Sequence, residues 1–510
     1  MMEGLNNLAR IVTDRRQKVL PLLDFTAKPS ANKEMALLNF LVEEQSKSQQ
    51  QVIKALYGKT DATSKTAFRK LKSRVQQKML NHLFFLDESD PRHELSRRYE
   101  QQCLNLYYQV STLYREGEYY NAERLGRKAL RLAESMEFTH YALLCGQLLR
   151  GIYADMQQPA KFRSNNKKLA ANWQRLVLEE EAGAIFWEVK AMMAYTVRAR
   201  RGMLGKIEVY LNQLEELHKQ ARTFNTFFYF YRTQIAREEL IGNYDRIIGL
   251  TAETVKAWGE GKLNRIRFDK RFNNYMSVYA HLRSRQAKKG FKLAEEYAKD
   301  FHYSSNNWLY FLEIYTLLAM HSGQYGQAQE LLQTARKSLY FAKQRHAAQE
   351  RWNLYEVYLQ FIRPEASPLR IRSFNTFIQT VPTHSRDKQG YNVAVLILQF
   401  LYYLRQHDLD GVLLRLESLR KYQQRHLREA GALRSQLFFR LLAITVKSDF
   451  DPVESQRAAE PLLKRMQAAP PPGEAFSEIE IVPYEDLWSL TLEILRATAA
   501  QLLEENRHLV

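Results

Sequence analysis

The amino-acid sequence predicts an all-α fold: an α-solenoid of about nine long helical hairpins, preceded by a small N-terminal helical domain. Three observations support this prediction. Apolar residues recur with the 3.6-residue period of a helix through long segments, and strict alternation of apolar and polar residues is rare. Glycine and proline are scarce, with 20 and 13 in 510 residues. A short Gly/aromatic/Ala signature returns about every 41 residues, as expected of a helical repeat array.

The N-terminal segment, residues 1–29, is predicted to be an amphipathic helix that runs from Met1 to Leu23. Charged residues between Asp14 and Lys18 interrupt its apolar sequence, and no small-residue cleavage site follows, so it lacks the pattern of a signal peptide. No stretch of the sequence reaches 18 uncharged apolar residues. We therefore expect a cytoplasmic protein with no membrane partner.

Residues 30–95 are predicted to form a small domain of three helices. Asn32 is a suitable N-cap for the first helix. Ser48 and Gln51 form a capping-box pattern before the second helix, which ends at Gly58. The predicted buried face of the third helix consists of apolar residues spaced by three or four: Phe68, Leu71, Val75, Met79 and Leu83. The segment after it, 83–86, fits either a continued helix or a strand.

The third helix also carries a basic face. Its candidate contacts to nucleic acid or another anionic partner are Lys65, Arg69, Lys70, Lys72 and Arg74. Two short helices followed by a basic third one resemble a helix-turn-helix or winged-helix module, which implies a recognition helix in the DNA major groove. The alternative is that this face is simply solvated and the three helices cap the repeat array.

Residues 96–468 carry the repeat. Each signature glycine is expected to end the first helix of a hairpin in the left-handed conformation, where other L-residues are strained. The aromatic residue two positions later fills the corner, and the alanines allow the two helices to approach closely. The residues with these structural roles are Gly117, Tyr119, Ala122, Ala129, Gly202, Gly242, Tyr244, Gly323, Tyr325, Ala328 and Ala335. The full series of turn markers is Gly117, Gln157, Gly202, Gly242, Ser284, Gly323, Glu365, His407 and Ser448, of which Gln157 and Glu365 fit only by their spacing.

This signature resembles the second half of the tetratricopeptide repeat. The resemblance implies stacked helix pairs with a concave groove and a role as an interaction scaffold. A standard unit has about 34 residues, so the hairpins of this chain are longer by about two helical turns. Some bacterial transcription regulators join a helix-turn-helix module to an array of this kind, which makes the combination with residues 30–95 suggestive.

A net charge of +19 favours anionic partners, although solvated basic faces account for it equally well. Cations near the predicted turns are Arg198, Arg200, Arg201, Arg283, Arg285, Lys288 and Lys289. A further basic group, residues 262–271, lies between hairpins. If equivalent turns align along one edge of the array, these cations form a basic rim for a nucleic-acid backbone or an acidic protein.

The C-terminal region is predicted to be a Pro-rich and acidic linker over 469–486, followed by a capping helix over 487–510. A sharper hypothesis is that the acidic linker contacts the basic body of the protein and competes with an anionic partner. Deleting residues 470–510 would then raise the affinity for that partner.

No catalytic, cofactor-binding or metal-binding motif stands out, and no small-molecule substrate is evident. The two cysteines, Cys103 and Cys145, lie in apolar helical stretches and are expected to be buried free thiols. The sequence therefore favours a non-enzymatic scaffold that binds a partner protein or peptide in the groove of the array. The alternative is a nucleic-acid-binding transcriptional regulator, in which the array senses or binds a partner. A weaker third hypothesis is an RNA- or ribosome-associated factor that uses the basic rim.

Overall fold

The computed structural model describes residues 2–15, 20–28, 32–42, 48–87, 95–363, 391–427, 432–471, 473 and 480–508. Over these residues the protein contains 22 α-helices and no strand, which confirms the predicted all-α class. The chain divides into two compact units. The first contains the chain up to residue 87 with Arg97–Ala129 and Leu148–Phe162, and the second contains Leu130–Gln147 and the chain from residue 163 onward.

The N-terminal part of the first unit is the predicted small helical domain. Its helices are α1 (Met2–Arg15), α2 (Lys33–Val42), α3 (Gln49–Tyr57) and α4 (Ala62–His82). Helices α2, α3 and α4 pack pairwise around a core whose most buried members are Leu37, Ile53, Leu71 and Val75. The Ser48–Gln51 capping box forms as predicted, and Gly58 ends α3 with a φ of 77°.

Two expectations for this region are wrong. Helix α1 ends at Arg15 in the described chain, and residues 20–28 form turns in which the Asp24 carboxylate accepts hydrogen bonds from the backbone and hydroxyl of Thr26. Leu83 is 55% exposed. The reason is that Leu83–Phe85 form one turn of 3₁₀ helix, whose three-residue period rotates Leu83 off the buried face of α4.

The remaining helices belong to the repeat array and the C-terminal region. They are α5 (Leu95–Arg115), α6 (Tyr119–Ser135), α7 (Thr139–Asp155), α8 (Pro159–Met193), α9 (Val197–Met203), α10 (Ile207–Ala221), α11 (Phe224–Ile241), α12 (Tyr244–Gly259), α13 (Lys270–Arg283), α14 (Ala287–Tyr297), α15 (Asn306–His321), α16 (Tyr325–Lys337), α17 (His346–Ile362), α18 (Tyr391–Arg405), α19 (Leu409–His426), α20 (Leu433–Lys447), α21 (Pro452–Ala468) and α22 (Tyr484–His508). Within the second unit, each helix from α10 to α22 packs against the next described helix of the chain. This packing of chain neighbours is the pattern that an α-solenoid of helical hairpins requires.

The turns inside the hairpins contain the predicted left-handed residues. Gly117, Gly242 and Gly323 have φ values of 77°, 81° and 73°. Gln157 and His407 adopt the same conformation, with φ values of 54° and 56°. Spacing alone therefore located the turn at Gln157, where the residue type provided no signal.

Other markers are displaced from the turns. Ser284 has a φ of −81°, and the left-handed residue is the next one, Arg285, with a φ of 60°. After Ser448 the left-handed residues are Asp449 and Phe450. The marker Glu365 lies outside the described residues.

The prediction for Gly202 is wrong, because this residue lies within helix α9 and has no positive φ. Helix α8 runs for 35 residues without a break and takes the place of the expected connection between two hairpins. Its second half is held by packing on α11, where the Phe186 and Tyr229 rings stack at 5.1 Å. Tertiary packing thus extended a helix beyond the point where the repeat spacing placed a turn.

The signature alanines are buried as predicted, whereas one signature aromatic, Tyr119, is 37% exposed. Ala122, Ala129, Ala328 and Ala335 are all 0% exposed, so both helices of their hairpins can approach closely. Tyr244 is fully buried at the start of α12. Tyr119 and Tyr325 begin α6 and α16, and the ring of Tyr119 lies 5.9 Å from that of Tyr114.

Helix α22 packs against α18 and α21 and buries Leu487, Trp488 and Leu495. It begins at Tyr484, three residues before the predicted start of the capping helix. None of the described helices is both long and apolar enough to cross a membrane.

Candidate binding cavity on the first-helix face

A cavity of about 610 Å³ lies on the side of the second unit where first helices of hairpins face the C-terminal segment. Its walls come from α13, the start of α14, α15, α17 and α20, and from Pro471, Glu480, Pro483, Glu485 and Asp486 of that segment. The aromatic lining residues are Tyr275, Tyr279, Tyr310 and Tyr355. The ionisable lining residues include Arg283, Arg285, Arg351, Arg434, Glu313, Glu480, Glu485 and Asp486. We call the cavity-facing surfaces of the first helices α13, α15, α17 and α20 the first-helix face.

The C-terminal segment is held beside the cavity by backbone contacts. Arg285 donates to the carbonyl oxygens of Gln467 and Ala469 at 3.1 and 2.6 Å, which satisfies acceptors that the end of α21 leaves open. At the end of α11, a Cβ added to Gly242 would lie 2.9 Å from the backbone nitrogen of Gly473. This close backbone approach holds the linker against the end of α11 at Gly473.

Arg434 is the main anchor of the segment. It is only 2% exposed, and its Nη2 lies 3.0 Å from Glu480 Oε2 and 2.8 Å from Glu485 Oε2. Its Nε donates to the other oxygen of Glu480, and its Nη1 donates to the Met466 carbonyl at 2.6 Å. A buried guanidinium that lost these partners would be strongly destabilising, because its desolvation would no longer be compensated.

Arg434 and Glu485 shift each other's pKa values. Burial alone would raise the pKa of Glu485, but the hydrogen bonds and the charge of Arg434 outweigh burial and hold that pKa below its ordinary value. Although burial disfavours its charge, the two carboxylates raise the pKa of Arg434. Next to the anchor, Tyr484 stacks on Phe438 at 4.7 Å and shares a 2.9 Å hydrogen bond with Ser435.

A second arginine–carboxylate pair lines the same cavity. Arg351 donates to both oxygens of Glu313 at 2.5 and 2.9 Å, and the Tyr355 hydroxyl donates to Glu313 at 2.8 Å. Arg351 and Arg434 lie two repeat periods apart in the chain, on the first helices of their hairpins. Both therefore face the cavity and hold carboxylates there.

Asp486 differs from the other three carboxylates of the lining. No described side chain forms a hydrogen bond or an ion pair with it. Asp486 is exposed at the edge of the cavity. Partial desolvation there, and then the negative charge of Glu485, raise its pKa. Its backbone N–H donates to the Pro483 carbonyl at 3.0 Å, which places it in the first turn of α22.

The structure brings only part of the predicted basic rim to this cavity. Arg283 and Arg285 line it, and the guanidinium of Arg283 lies 5.1 Å from the centre of the Tyr244 ring. Lys288 and Lys289 are exposed on the first turn of α14, outside the lining. A basic rim along aligned hairpin turns therefore stays a prediction.

The other predicted cations lie elsewhere. Arg198, Arg200 and Arg201 belong to the short helix α9 and not to a hairpin turn, because α8 extends past the expected connection. In the first unit, Lys65, Arg69, Lys70 and Lys72 are exposed on α4 and form no ion pair with a described residue. The fifth residue of that face, Arg74, is bound to Glu34 of α2 at 2.5 Å, and Lys78 reaches the same carboxylate at 2.7 Å.

Arg267, from the basic group between hairpins, has a structural role that the sequence did not reveal. It donates to the carbonyl oxygens of Met136 and Glu137 at 3.1 and 2.8 Å. Its guanidinium also lies between the rings of Phe138 and Phe224, at 4.4 and 4.7 Å from their centres. This arginine joins distant parts of the second unit by hydrogen bonds and cation–π contacts.

Sequence reasoning missed Arg434, Arg351 and the tyrosines of the lining. A weak signal for Arg434 was present, because it is one of only two cations, with Arg440, in the largely apolar segment from Leu433 to Val446. An isolated charge on an otherwise apolar helix requires a buried partner or an exposed position, and the sequence does not distinguish the two.

The sequence matches no protein-family model, and no curated protein or solved structure is significantly similar to it. The resemblance to tetratricopeptide repeats therefore stays a prediction. Among the described residues, no group of three or more His, Cys, Asp or Glu side chains could hold a metal ion.

Proposed function

We propose that this protein is a non-enzymatic scaffold that binds a partner protein or peptide on its first-helix face, with the 610 Å³ cavity as the site of contact. The cavity is the observation that supports this function. Its volume falls within the range of about 300–1,000 Å³ that is usual for binding pockets. Side chains from several hairpins and the C-terminal segment converge on it, so a bound segment would contact many elements at once.

The lining is preorganised for binding. The two arginine anchors and Glu313 are held by several hydrogen bonds each, so little side-chain entropy is lost when a partner arrives. Tyr310 is 45% exposed and offers an aromatic surface with a polar hydroxyl, a combination common at interfaces. A tetratricopeptide-like array would have the same kind of role.

The proposal includes a cytoplasmic location. Both cysteines are buried free thiols, as expected in a reducing compartment. Burial raises the pKa of the Cys103 thiol to about 11, which makes it unreactive as a nucleophile.

Selection from a random peptide library on the full-length protein tests this function. We expect the selected peptides to lose about tenfold or more in affinity on Tyr310→Ala, because its ring forms part of the cavity wall. Tyr303→Ala is the matched control, since Tyr303 is 70% exposed and lies outside the lining. Peptides that bind Tyr310→Ala as tightly as the wild type would exclude the cavity as the binding site.

A second candidate function is nucleic-acid binding by the first unit, favoured by the four exposed cations on α4. Contacts of Lys65, Arg69, Lys70 and Lys72 with phosphates predict a log–log salt slope of about −3.6 for four ion pairs. Fluorescence anisotropy with duplex DNA and RNA measures this slope, and charge reversal of the four residues to Glu should abolish binding.

The control for this experiment reverses four cations of the second unit that form ion pairs. These are Lys219, Lys262, Lys421 and Lys464. Equal loss of binding in both variants would indicate a general charge effect and would remove α4 as the site. Absence of wild-type binding at low salt would reject the nucleic-acid function altogether.

A further inference from the structure

We infer that the cavity recognises a cationic side chain of the partner, a lysine or an arginine, with Asp486 as its counter-charge and tyrosine rings as its walls. This inference rests on the proposed function and names the chemistry of the same site. It follows from a comparison of the charged lining residues that already have a bonded partner with the one carboxylate that has none among the described residues.

The lining holds four arginines and four carboxylates, so it is close to neutral as a whole. Three of the carboxylates are bonded to an arginine: Glu313 to Arg351, and both Glu480 and Glu485 to Arg434. Asp486 is the remaining carboxylate, and no described side chain bonds it. A carboxylate near a like charge gains most from a cation placed beside it.

The arginines of the lining are already engaged. Arg434 and Arg351 hold carboxylates, and Arg285 is bonded to the end of α21. The fourth, Arg283, lies over the ring of Tyr244. An acidic ligand would have to displace these contacts, whereas a cationic ligand at Asp486 would displace only water.

Asp486 is also held in a defined place. It lies in the first turn of α22, and the next two residues, Leu487 and Trp488, are buried in the core of the second unit. Asp486 itself is exposed, so a ligand can reach its carboxylate from solvent. Partial desolvation and the negative charge of Glu485 raise its pKa, which agrees with the lack of a bonded cation among the described residues.

The tyrosines supply the second half of the site. The Tyr275 and Tyr279 rings are parallel, with an interplanar angle of 2° and centres 6.3 Å apart, and Tyr310 is accessible on the neighbouring helix. Ring faces attract ammonium and guanidinium groups, most strongly where the cation also loses water. A lysine or arginine has the apolar stem to pack on the rings and the charge to reach a carboxylate.

The net charge of +19 opposes a cationic ligand at long range. At about 0.15 M salt this repulsion is screened beyond about 8 Å, so the contact with Asp486 decides the affinity. Binding is therefore measured at that ionic strength.

Isothermal titration calorimetry on the full-length protein, with acetylated and amidated tetralysine and tetraglutamate as probes, tests the inference. We expect tetralysine to bind, to lose about tenfold or more in affinity on Asp486→Asn, and to retain its affinity on Asp486→Glu. Asp410→Asn is the matched control, because Asp410 is an exposed aspartate in the first turn of α19 and outside the cavity. It should leave tetralysine binding unchanged.

Three results would overturn the inference: no tetralysine binding, equal affinity of the wild type and Asp486→Asn, or tighter binding of tetraglutamate. A different result would reject the proposed function. If library peptides without lysine or arginine bind and lose their affinity on Tyr310→Ala, the scaffold function stands and only the cationic specificity is rejected. If Tyr310→Ala changes no peptide's affinity, the cavity itself is rejected.

Discussion

At the scale of single residues, the backbone conformation at the turns separates positions that the repeat spacing treats as equivalent. Gly117 and Gly202 carry the same signature role in the sequence. In the structure Gly117 has a φ of 77°, whereas Gly202 lies in a helix. Glycine is favoured at positions with a left-handed backbone conformation and is disfavoured inside helices.

The same substitution should therefore have opposite effects at these two sites. Gly117→Ala should destabilise by about 1 kcal/mol, because alanine is strained in the left-handed conformation. Gly202→Ala should stabilise by about 0.5 kcal/mol, since alanine prefers the helix and nothing lies within 4 Å of the added methyl. Urea unfolding midpoints measure both, and a shift in the same direction for the two variants would contradict the assignment of Gly202.

Gly473 provides a second prediction at this scale. A Cβ on Gly473 would collide with the backbone of Leu240 and Gly242, so Gly473→Ala should displace the linker and cost about 1–3 kcal/mol. Thermal unfolding measures the loss, and limited proteolysis should find the linker more accessible. Gly259→Ala is the control, because its added methyl meets nothing within 4 Å. Equal effects of the two substitutions would rule out a specific contact of Gly473.

At the scale of secondary-structure elements, the C-terminal segment is attached to α20 by one buried cation. Apart from Ser435 and Thr445, the other buried residues of this helix are apolar. Arg434 forms ion pairs with two carboxylates of the C-terminal segment. Such a cluster is sensitive to removal of one member, because the remaining charges stay buried without compensation.

Arg434→Met should destabilise the protein by about 3–5 kcal/mol, since it leaves Glu480 and Glu485 without their partner. Arg440→Met, an exposed arginine on the same helix, should change the melting temperature little. Adding Glu480→Gln and Glu485→Gln to Arg434→Met should recover part of the loss. If Arg434→Met melts at the wild-type temperature, the cluster does not anchor the segment.

The anchor also predicts a dependence on pH. The pKa of Glu485 is held below its unfolded value of about 4.3, so its contribution to stability is complete above that pH. The contribution should be lost as the pH falls from about 4.3 through the folded pKa. The difference in melting temperature between the wild type and Glu485→Gln should therefore be largest at about pH 6 and shrink as the pH falls below about 4.3. A constant difference across this range would exclude the ionised carboxylate as the source.

At the scale of the whole molecule, the described part of the acidic C-terminal region combines ion pairs with the burial of apolar side chains. Glu480 and Glu485 contact a basic residue, Arg434, as the competition hypothesis for the acidic linker requires. The same segment also buries Ile481, Val482 and Tyr484. Each buried side chain of this size stabilises by about 1.5–3 kcal/mol, so release of the segment would be costly. A permanent wall of the cavity agrees better with this burial than a displaceable competitor.

Deletion of residues 469–510 should therefore expose the apolar surface under Leu487, Trp488 and Leu495, and lower stability and soluble yield. Deletion of residues 499–510 alone should have a smaller effect, because Leu495 is the last fully buried side chain among the described residues of α22. Dye binding to exposed apolar surface and thermal unfolding compare the two. A stable, soluble protein lacking residues 469–510, with increased affinity for an anionic partner, would instead support the original competition hypothesis.

The sequence by itself determined the all-α class, the hairpin period, the three helices before the array and most left-handed turns. These features depend on local chemistry: Ser48 caps its own helix, Gly58 and Gly117 adopt a conformation that few other residues favour, and Ala122 and Ala328 are small. Only the tertiary structure decided the length of α8, the partners of Arg434 and Arg351, and the cavity that they line with Asp486. Those features arise from contacts between residues far apart in the chain, and neither residue type nor spacing records which distant side chain will compensate a charge.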